Sequence, residues 1–245
     1  MINKEKTNPN KTARIVGVLF IIGTVAGILS VVVTGSILAD PEYLMKVSAN
    51  ENQIIIGALL VLIMGLALAM VPVMMFPIFK KHNEALALGY VVLRVLEVVT
   101  YIITVISWLL LLTLSQEYVL AGAPEFFYYQ ILGNLLLAVG AWIDPVLVIV
   151  FSISALILNY LLYKSILVPR WLSGWGFVAA TLHLTEGLLD MFGLLPGMPL
   201  GVVFFAPIAL QEMVYAVWLI VKGFNPTVSI ANLPTRDMQD NRSSQ

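Results

Sequence analysis

Long apolar stretches constrain this chain more than any other feature of its sequence. Each of six stretches is long enough for an α-helix to cross a hydrocarbon core about 30 Å thick, which takes about 20 residues. The stretches are 15–38, 54–79, 86–114, 140–163, 171–192 and 200–221. They are continuous and do not alternate with polar residues, which argues against a transmembrane β-barrel. The sequence therefore predicts an all-α bundle of six transmembrane helices.

Composition narrows the class of protein further. Hydrophobic residues make up 60% of the 245 residues and charged residues only 11%, whereas an average soluble domain has about 25% charged residues. A soluble core of this length cannot bury so much apolar surface. The net charge of −1 argues against a nucleic-acid partner, and the lack of cysteine excludes disulfides and thiolate metal sites. The lipid bilayer is therefore the first partner that we expect.

The positions of lysine and arginine predict the orientation in the membrane. Eleven of the 13 basic residues lie before span one, between spans two and three, between spans four and five, or after span six. In a six-span protein these segments share one side, and basic residues favour the cytoplasmic side. Of the other two, Lys46 lies on the opposite side and Arg94 lies within a span. We therefore expect both termini in the cytoplasm.

This topology divides the chain into three parts. We expect a cytoplasmic N-terminal tail over residues 1–13 and a six-span transmembrane domain over residues 14–223. A polar C-terminal tail, which contains proline, follows over residues 224–245. Its composition predicts a disordered cytoplasmic segment.

The segment 125–163 is too long for a single span. As one helix it would be about 58 Å long, nearly twice the thickness of the bilayer core. We expect a break, with a short interfacial helix near 125–138 that contains several aromatic residues, and then span four. Asp144 and Pro145 would mark the irregular start of that span. A re-entrant segment is the alternative.

Ionisable side chains within the spans are the main clue to function, because each costs about 3 kcal/mol or more near the bilayer centre unless it is paired or hydrated. Helical spacing places Arg94, Glu97 and Tyr101 on one face, and His183, Glu186 and Asp190 on another. Gln211 and Glu212 follow a proline in span six. We predict one polar pocket among spans three to six. Its candidate residues are Arg94, Glu97, Tyr101, Asp144, His183, Glu186, Asp190, Gln211 and Glu212.

The charge of this pocket favours a cationic ligand. Arg94 faces five carboxyls, so full ionisation would leave about −4, which a low-dielectric site cannot sustain. Either several carboxyls are protonated or a cation is bound. We therefore expect the protein to bind or transport a small cationic or proton-linked solute.

Two other functions stay open. An intramembrane enzyme acting on a lipid or a quinone could use His183 with a carboxyl as an acid–base pair. A non-catalytic membrane partner or immunity-type protein would need no such pair. The sequence assigns no catalytic residue and favours a protein that is not an enzyme.

The sequence predicts no cofactor. Only one histidine lies in a span, so two histidines cannot ligate a haem there. A carboxylate-rich metal site is compatible with the residue types of His183, Glu186 and Glu212, with Glu97 as a further oxygen donor.

Several segments carry a family resemblance. They are ILVPRWLSGWG at 166–176, ALQEMVYAVWLIVKGF at 209–224, Ala13-Arg14 before span one, and ALGY at 87–90 followed by Arg94 and Glu97. Over most of residues 11–226 the chain resembles the bacterial membrane protein family termed domain of unknown function 4386. The resemblance implies a six-span integral protein of the bacterial plasma (inner) membrane. It brings no activity and no functional residues with it.

Overall fold

The computed structural model describes residues 9–122, 126–195 and 200–225. These ranges contain seven α-helices and no strand, which confirms the predicted all-α class. The helices are α1 (Pro9–Leu38), α2 (Tyr43–Ala49), α3 (Glu51–Phe79), α4 (Glu84–Leu120), α5 (Phe126–Ser165), α6 (Arg170–Met191) and α7 (Leu200–Val221). Helix α1 begins inside the predicted tail 1–13. The predicted tail 224–245 lies, apart from its first two residues, outside the described part of the chain.

Five of these helices are long and apolar enough to cross a membrane, namely α1, α3, α4, α5 and α7. Helix α6 is not among them, although its 22 residues equal the length of α7. Polar side chains such as His183, Glu186 and Asp190 lower the hydropathy of α6. The fold is therefore that of a helical membrane protein in which one long helix is much more polar than the others.

The six long helices form a closed ring in chain order. Each packs against the next, and α7 returns to pack against α1. One end of the ring, here called the basic end, carries Lys11, Lys80, Lys164, Arg170 and Lys222. The opposite end, here called the hairpin end, carries α2 and the connection between α4 and α5.

Close packing joins the helices at the basic end. Phe20, Met75 and Phe79 are fully buried there in one apolar cluster with residues from all six long helices. Gly17 lets α1 and α7 approach closely, since a Cβ atom at this position would lie 2.6 Å from the carbonyl oxygen of Ala216. This contact closes the ring.

Helices α4 and α5 extend well beyond a bilayer core. They have 37 and 40 residues, which correspond to about 55 and 60 Å. Their extensions pack against α2 at the hairpin end, where Leu44 and Leu111 are buried in a second apolar cluster. The Ser115 hydroxyl donates to the Leu44 carbonyl at 2.6 Å, and the Ser107 hydroxyl donates to the Leu136 carbonyl at 2.7 Å.

The prediction of a separate interfacial helix before span four was wrong. Helix α5 runs without interruption from Phe126 through Pro145 to Ser165, so neither a break nor a re-entrant segment occurs. Proline removes one backbone hydrogen bond, and a long helix can tolerate this loss when neighbouring helices support it. Here α4 is equally extended and packs along α5. The length of α5 is therefore set by this partner as well as by the thickness of the bilayer.

Candidate functional site

Arg94 and Glu97 form a buried ion pair on α4. The Nη1 atom of Arg94 donates to both carboxylate oxygens of Glu97 at 3.1 Å, and each side chain is only 1% exposed. The two residues are three positions apart, so they share a helical face. The Tyr101 hydroxyl, one turn further along, donates to Glu97 Oε1 at 2.9 Å.

Helix α7 brings a second carboxyl to the same arginine. Glu212 Oε1 lies 3.5 Å from Arg94 Nη2, and the Glu212 side chain is 16% exposed. Arg94, Glu97, Tyr101 and Glu212 are here called the Arg94 cluster. Arg94 lies about 15 Å along α4 from Glu84, and Glu212 lies about 14 Å from the end of α7. Both residues are therefore near the middle of the ring.

Aromatic rings surround the guanidinium of Arg94. Its Cζ atom is 5.2 Å from the ring centre of Phe151, 5.8 Å from that of Tyr90 and 6.0 Å from that of Phe20. These distances fit cation–π contacts, which stabilise a positive charge away from water. Four helices, α1, α4, α5 and α7, thus contribute side chains around this one charge.

Three buried polar atoms near the Arg94 cluster have no hydrogen-bond partner within the described residues. The Arg94 Nε atom and the hydroxyls of Tyr90 and Tyr215 are buried there without a hydrogen-bond partner. A buried polar group without a partner costs about 1–3 kcal/mol, so native structures rarely leave one in place without a function or a water partner. Tyr90 and Tyr215 lie one helical turn from Arg94 and Glu212, on the basic-end side of the Arg94 cluster.

His183 and Glu186 form a second ionisable group on α6. The His183 Nδ1 atom is 2.7 Å from Glu186 Oε2. The imidazole packs against the rings of Phe151 and Phe205, with ring centres 5.7 and 5.5 Å apart. Such a pair can exchange a proton with a bound molecule. Phe151 contacts both this imidazole and Arg94, so an aromatic ring separates the two ionisable groups.

The remaining predicted residues lie outside both groups. Asp144 and Asp190 are exposed and close enough for their charges to interact. Gln211 is buried, and its side-chain amide donates to Asn159 Oδ1 and to the Leu172 carbonyl, both at 3.3 Å. Gln211 therefore joins α7 to α5 and α6. The structure thus divides the single predicted pocket into two neighbouring groups and places these three residues elsewhere.

Sequence reasoning missed the aromatic residues around Arg94. Nothing in the sequence distinguishes Phe20 and Phe151, because aromatic residues are common in apolar spans. Tyr90 could have been placed near Arg94, since it lies four residues before Arg94 on the same face as Glu97. Tyr215 lies three residues after Glu212, and the same helical spacing would have found it.

The charges of the Arg94 cluster do not balance. One arginine faces the carboxyls of Glu97 and Glu212, so full ionisation leaves an excess negative charge in a buried place. A protonated carboxyl or a bound cation removes the excess. As to a metal site, no group of three or more histidine, aspartate or glutamate side chains in the described ranges is arranged to hold an ion. His183, Glu186 and Glu212 therefore do not form a ready metal site.

Comparison with known proteins places the chain in a family. Over 75 residues, 31% of this chain, it is 33% identical to an uncharacterized protein of Archaeoglobus fulgidus, and the match covers 43% of that protein. The chain thus spans less than half the length of this relative. No solved structure matches this chain. The model of the family described as Domain of unknown function (DUF4386) matches residues 15–223. Because this match covers most of the chain, the protein belongs to the DUF4386 family, which confirms the resemblance seen in its sequence.

Proposed function

We propose that this protein crosses the plasma membrane six times and that its Arg94 cluster binds a proton or a small cation during transport of a small solute. The observation that carries this proposal is the charge imbalance of the cluster, in which two carboxyls share one arginine. A low-dielectric site needs a further positive charge to balance them. The intramembrane enzyme and the non-catalytic partner stay predictions.

The six-span topology rests on α6. This helix has 22 residues, enough to cross about 30 Å, and it packs between α5 and α7 in the ring. Polar residues in a spanning helix are tolerated when they face the bundle interior, and His183 is buried there. With six spans, every lysine and arginine of the basic end falls on one side, which we assign to the cytoplasm.

Glu212 is the carboxyl that we expect to exchange its proton or cation. Glu97 is held by Arg94 and Tyr101 at distances of 2.9 to 3.1 Å, so its negative charge is well compensated. Glu212 has the longer contact of 3.5 Å and the greater exposure. The weaker contact and easier access favour exchange at Glu212.

The surroundings of the cluster support a path for protons toward the cytoplasm. The hydroxyls of Tyr90 and Tyr215 lie on that side, and a hydroxyl can both donate and accept a hydrogen bond. The Tyr215 hydroxyl has no hydrogen-bond partner among the described residues, and that of Tyr90 interacts only with Arg94, so both can bond to water or to a passing ion. Glu212 itself keeps partial exposure.

The test measures the thermal stability of the purified full-length protein in sodium chloride and in choline chloride. The pH runs from about 5 to about 8, a range in which a buried carboxyl can titrate. In choline chloride the wild type should unfold at lower temperature as the pH rises, because loss of the proton leaves an excess buried negative charge. If sodium is the ligand, sodium chloride should offset this loss. Glu212→Gln should remove both dependences, since the neutral amide carries no proton to lose.

Glu117→Gln is the matched control. This residue is exposed near the hairpin end of α4, so the same chemical change there should leave the wild-type response intact. A Glu212→Gln protein that responds to pH and sodium as the wild type does would contradict the proposal.

A further inference from the structure

A cleft opens between α5 and α6 at the basic end. It has a volume of about 330 Å³, and its lining includes Asn159, Tyr160, Tyr163, Lys164, Ser173 and Gly174. These residues lie within the last two turns of α5 and the first two turns of α6. In a membrane-spanning ring this depth corresponds to the boundary between headgroups and acyl chains.

Two positive charges lie at the mouth of this cleft. The Lys164 Nζ atom is 5.8 Å from the ring centre of Tyr160, and the Arg170 Cζ atom is 5.3 Å from that of Tyr163. Across the described ranges of the chain, neither cation has a carboxylate within ion-pair distance. Both are therefore available to an anion from outside the protein.

The rest of the cleft is suited to a lipid. Phe177 and Tyr160 give its lining an apolar part, while the polar atoms of Asn159 and Ser173 are buried and hydrogen-bonded within the protein. On the same turns of α6, Trp171 and Trp175 stack with ring centres 6.5 Å apart, and tryptophan favours the membrane interface. A basic mouth above an apolar interior matches a phosphate attached to an acyl chain better than it matches free phosphate.

We propose that this cleft binds one anionic phospholipid, with the phosphate between Lys164 and Arg170 and an acyl chain along Phe177. Basic pockets between transmembrane helices on the cytoplasmic side are suited to such headgroups. The cleft is formed by different residues from the Arg94 cluster, so this inference is independent of the transport proposal.

Gly174 provides a means to close the cleft without disturbing the fold. A Cβ atom at this position would meet no other atom within 4 Å, so a larger side chain can enter the cleft. Gly140 on α5 is equally open but lies about 36 Å along that helix from Lys164. Gly174→Leu and Gly140→Leu therefore form a matched pair.

The experiment is native mass spectrometry of the full-length protein with phosphatidylglycerol, with phosphatidylethanolamine of the same acyl chains, and with inorganic phosphate. The wild type and Gly140→Leu should retain phosphatidylglycerol in preference to phosphatidylethanolamine. Gly174→Leu should lose this binding. Lys164→Gln should weaken it about fivefold, the effect of one basic residue near a charged lipid surface.

Lys80→Gln is the control for charge. Lys80 also lies over an aromatic ring, 5.7 Å from the centre of Phe76, but outside the cleft, so its loss should not change lipid retention. Equal binding of phosphatidylglycerol to Gly174→Leu and wild type would overturn the proposal. So would an equal affinity for phosphatidylethanolamine, or inorganic phosphate binding as tightly as the lipid.

Discussion

At the scale of single residues, Arg94 determines how this molecule places charge inside itself. A buried ion pair adds little net stability, because removing two charges from water costs about as much as their attraction returns. Four helices nevertheless surround Arg94 with carboxyls and aromatic rings. Such an arrangement is better explained by function than by stability.

Loss of one partner should be more harmful than loss of both. We expect Arg94→Gln to destabilise the protein by about 3–5 kcal/mol, because it leaves two buried carboxyls without compensation. The double variant Arg94→Gln with Glu97→Gln should recover part of this loss. The free energy of unfolding in detergent titrations measures both, and a double variant less stable than the single one would contradict this account.

Sequence reasoning found the charged residues of the site but not their grouping. Arg94, Glu97 and Glu212 were predictable because charges inside apolar spans stand out. The separation of His183 from Arg94 was not, because it depends on which helices are neighbours and on the single ring of Phe151 between them. Gln211 was misplaced for a related reason. It adjoins Glu212 in sequence, but adjacent residues on a helix point about 100° apart.

At the scale of helices, neighbouring helices determine the length and continuity of α5, which the sequence alone did not predict correctly. The prediction of a break near Pro145 compared the length of 125–163 with the bilayer alone, whereas α4 offers α5 a neighbour of equal length. Helix α2 completes this extension, since Leu44 and Val47 are buried against α4 and α5. The described residues of the hairpin end thus pack as part of the fold.

One hydroxyl should matter for this extension. Ser115→Ala removes the hydrogen bond from α4 to the Leu44 carbonyl of α2, and we expect a loss of about 1 kcal/mol in the free energy of unfolding. Thr113→Ala is the control, because its hydroxyl bonds to the Leu109 carbonyl of its own helix and is exposed. Chemical denaturation compares the two, and equal effects would argue against a specific role for the α2 contact.

At the scale of the whole molecule, the ring of helices explains why α6 can be polar. Its neighbours α5 and α7 cover the face that carries His183, so the helix need not be as apolar as the others. The hydropathy of α6 alone does not reveal this, because hydropathy describes a helix without its neighbours. The distribution of basic residues does predict a sixth span, because only with six spans do the basic segments all lie on one side of the membrane.

The lack of native cysteine makes the topology directly testable. We expect single cysteines at Ala121 and Leu194 to react in intact cells with a membrane-impermeant thiol reagent. Cysteines at His82 and Lys222 should react only after the membrane is permeabilised. All four positions are exposed, so differences in labelling report the side of the membrane. Labelling of Leu194 only after permeabilisation would mean that α6 does not cross.

Helix α4 has a further consequence, because it carries both Arg94 and the hairpin end. From Val91 to Leu120 it contains neither proline nor glycine, the residues at which helices most often bend. Some 36 Å of stiff helix therefore connect Arg94 with Tyr118. A molecule that tilts the hairpin end of α4 would therefore move the arginine relative to Glu212 on α7. The site is thus mechanically linked to the hairpin end, which the proposed topology places outside the cell.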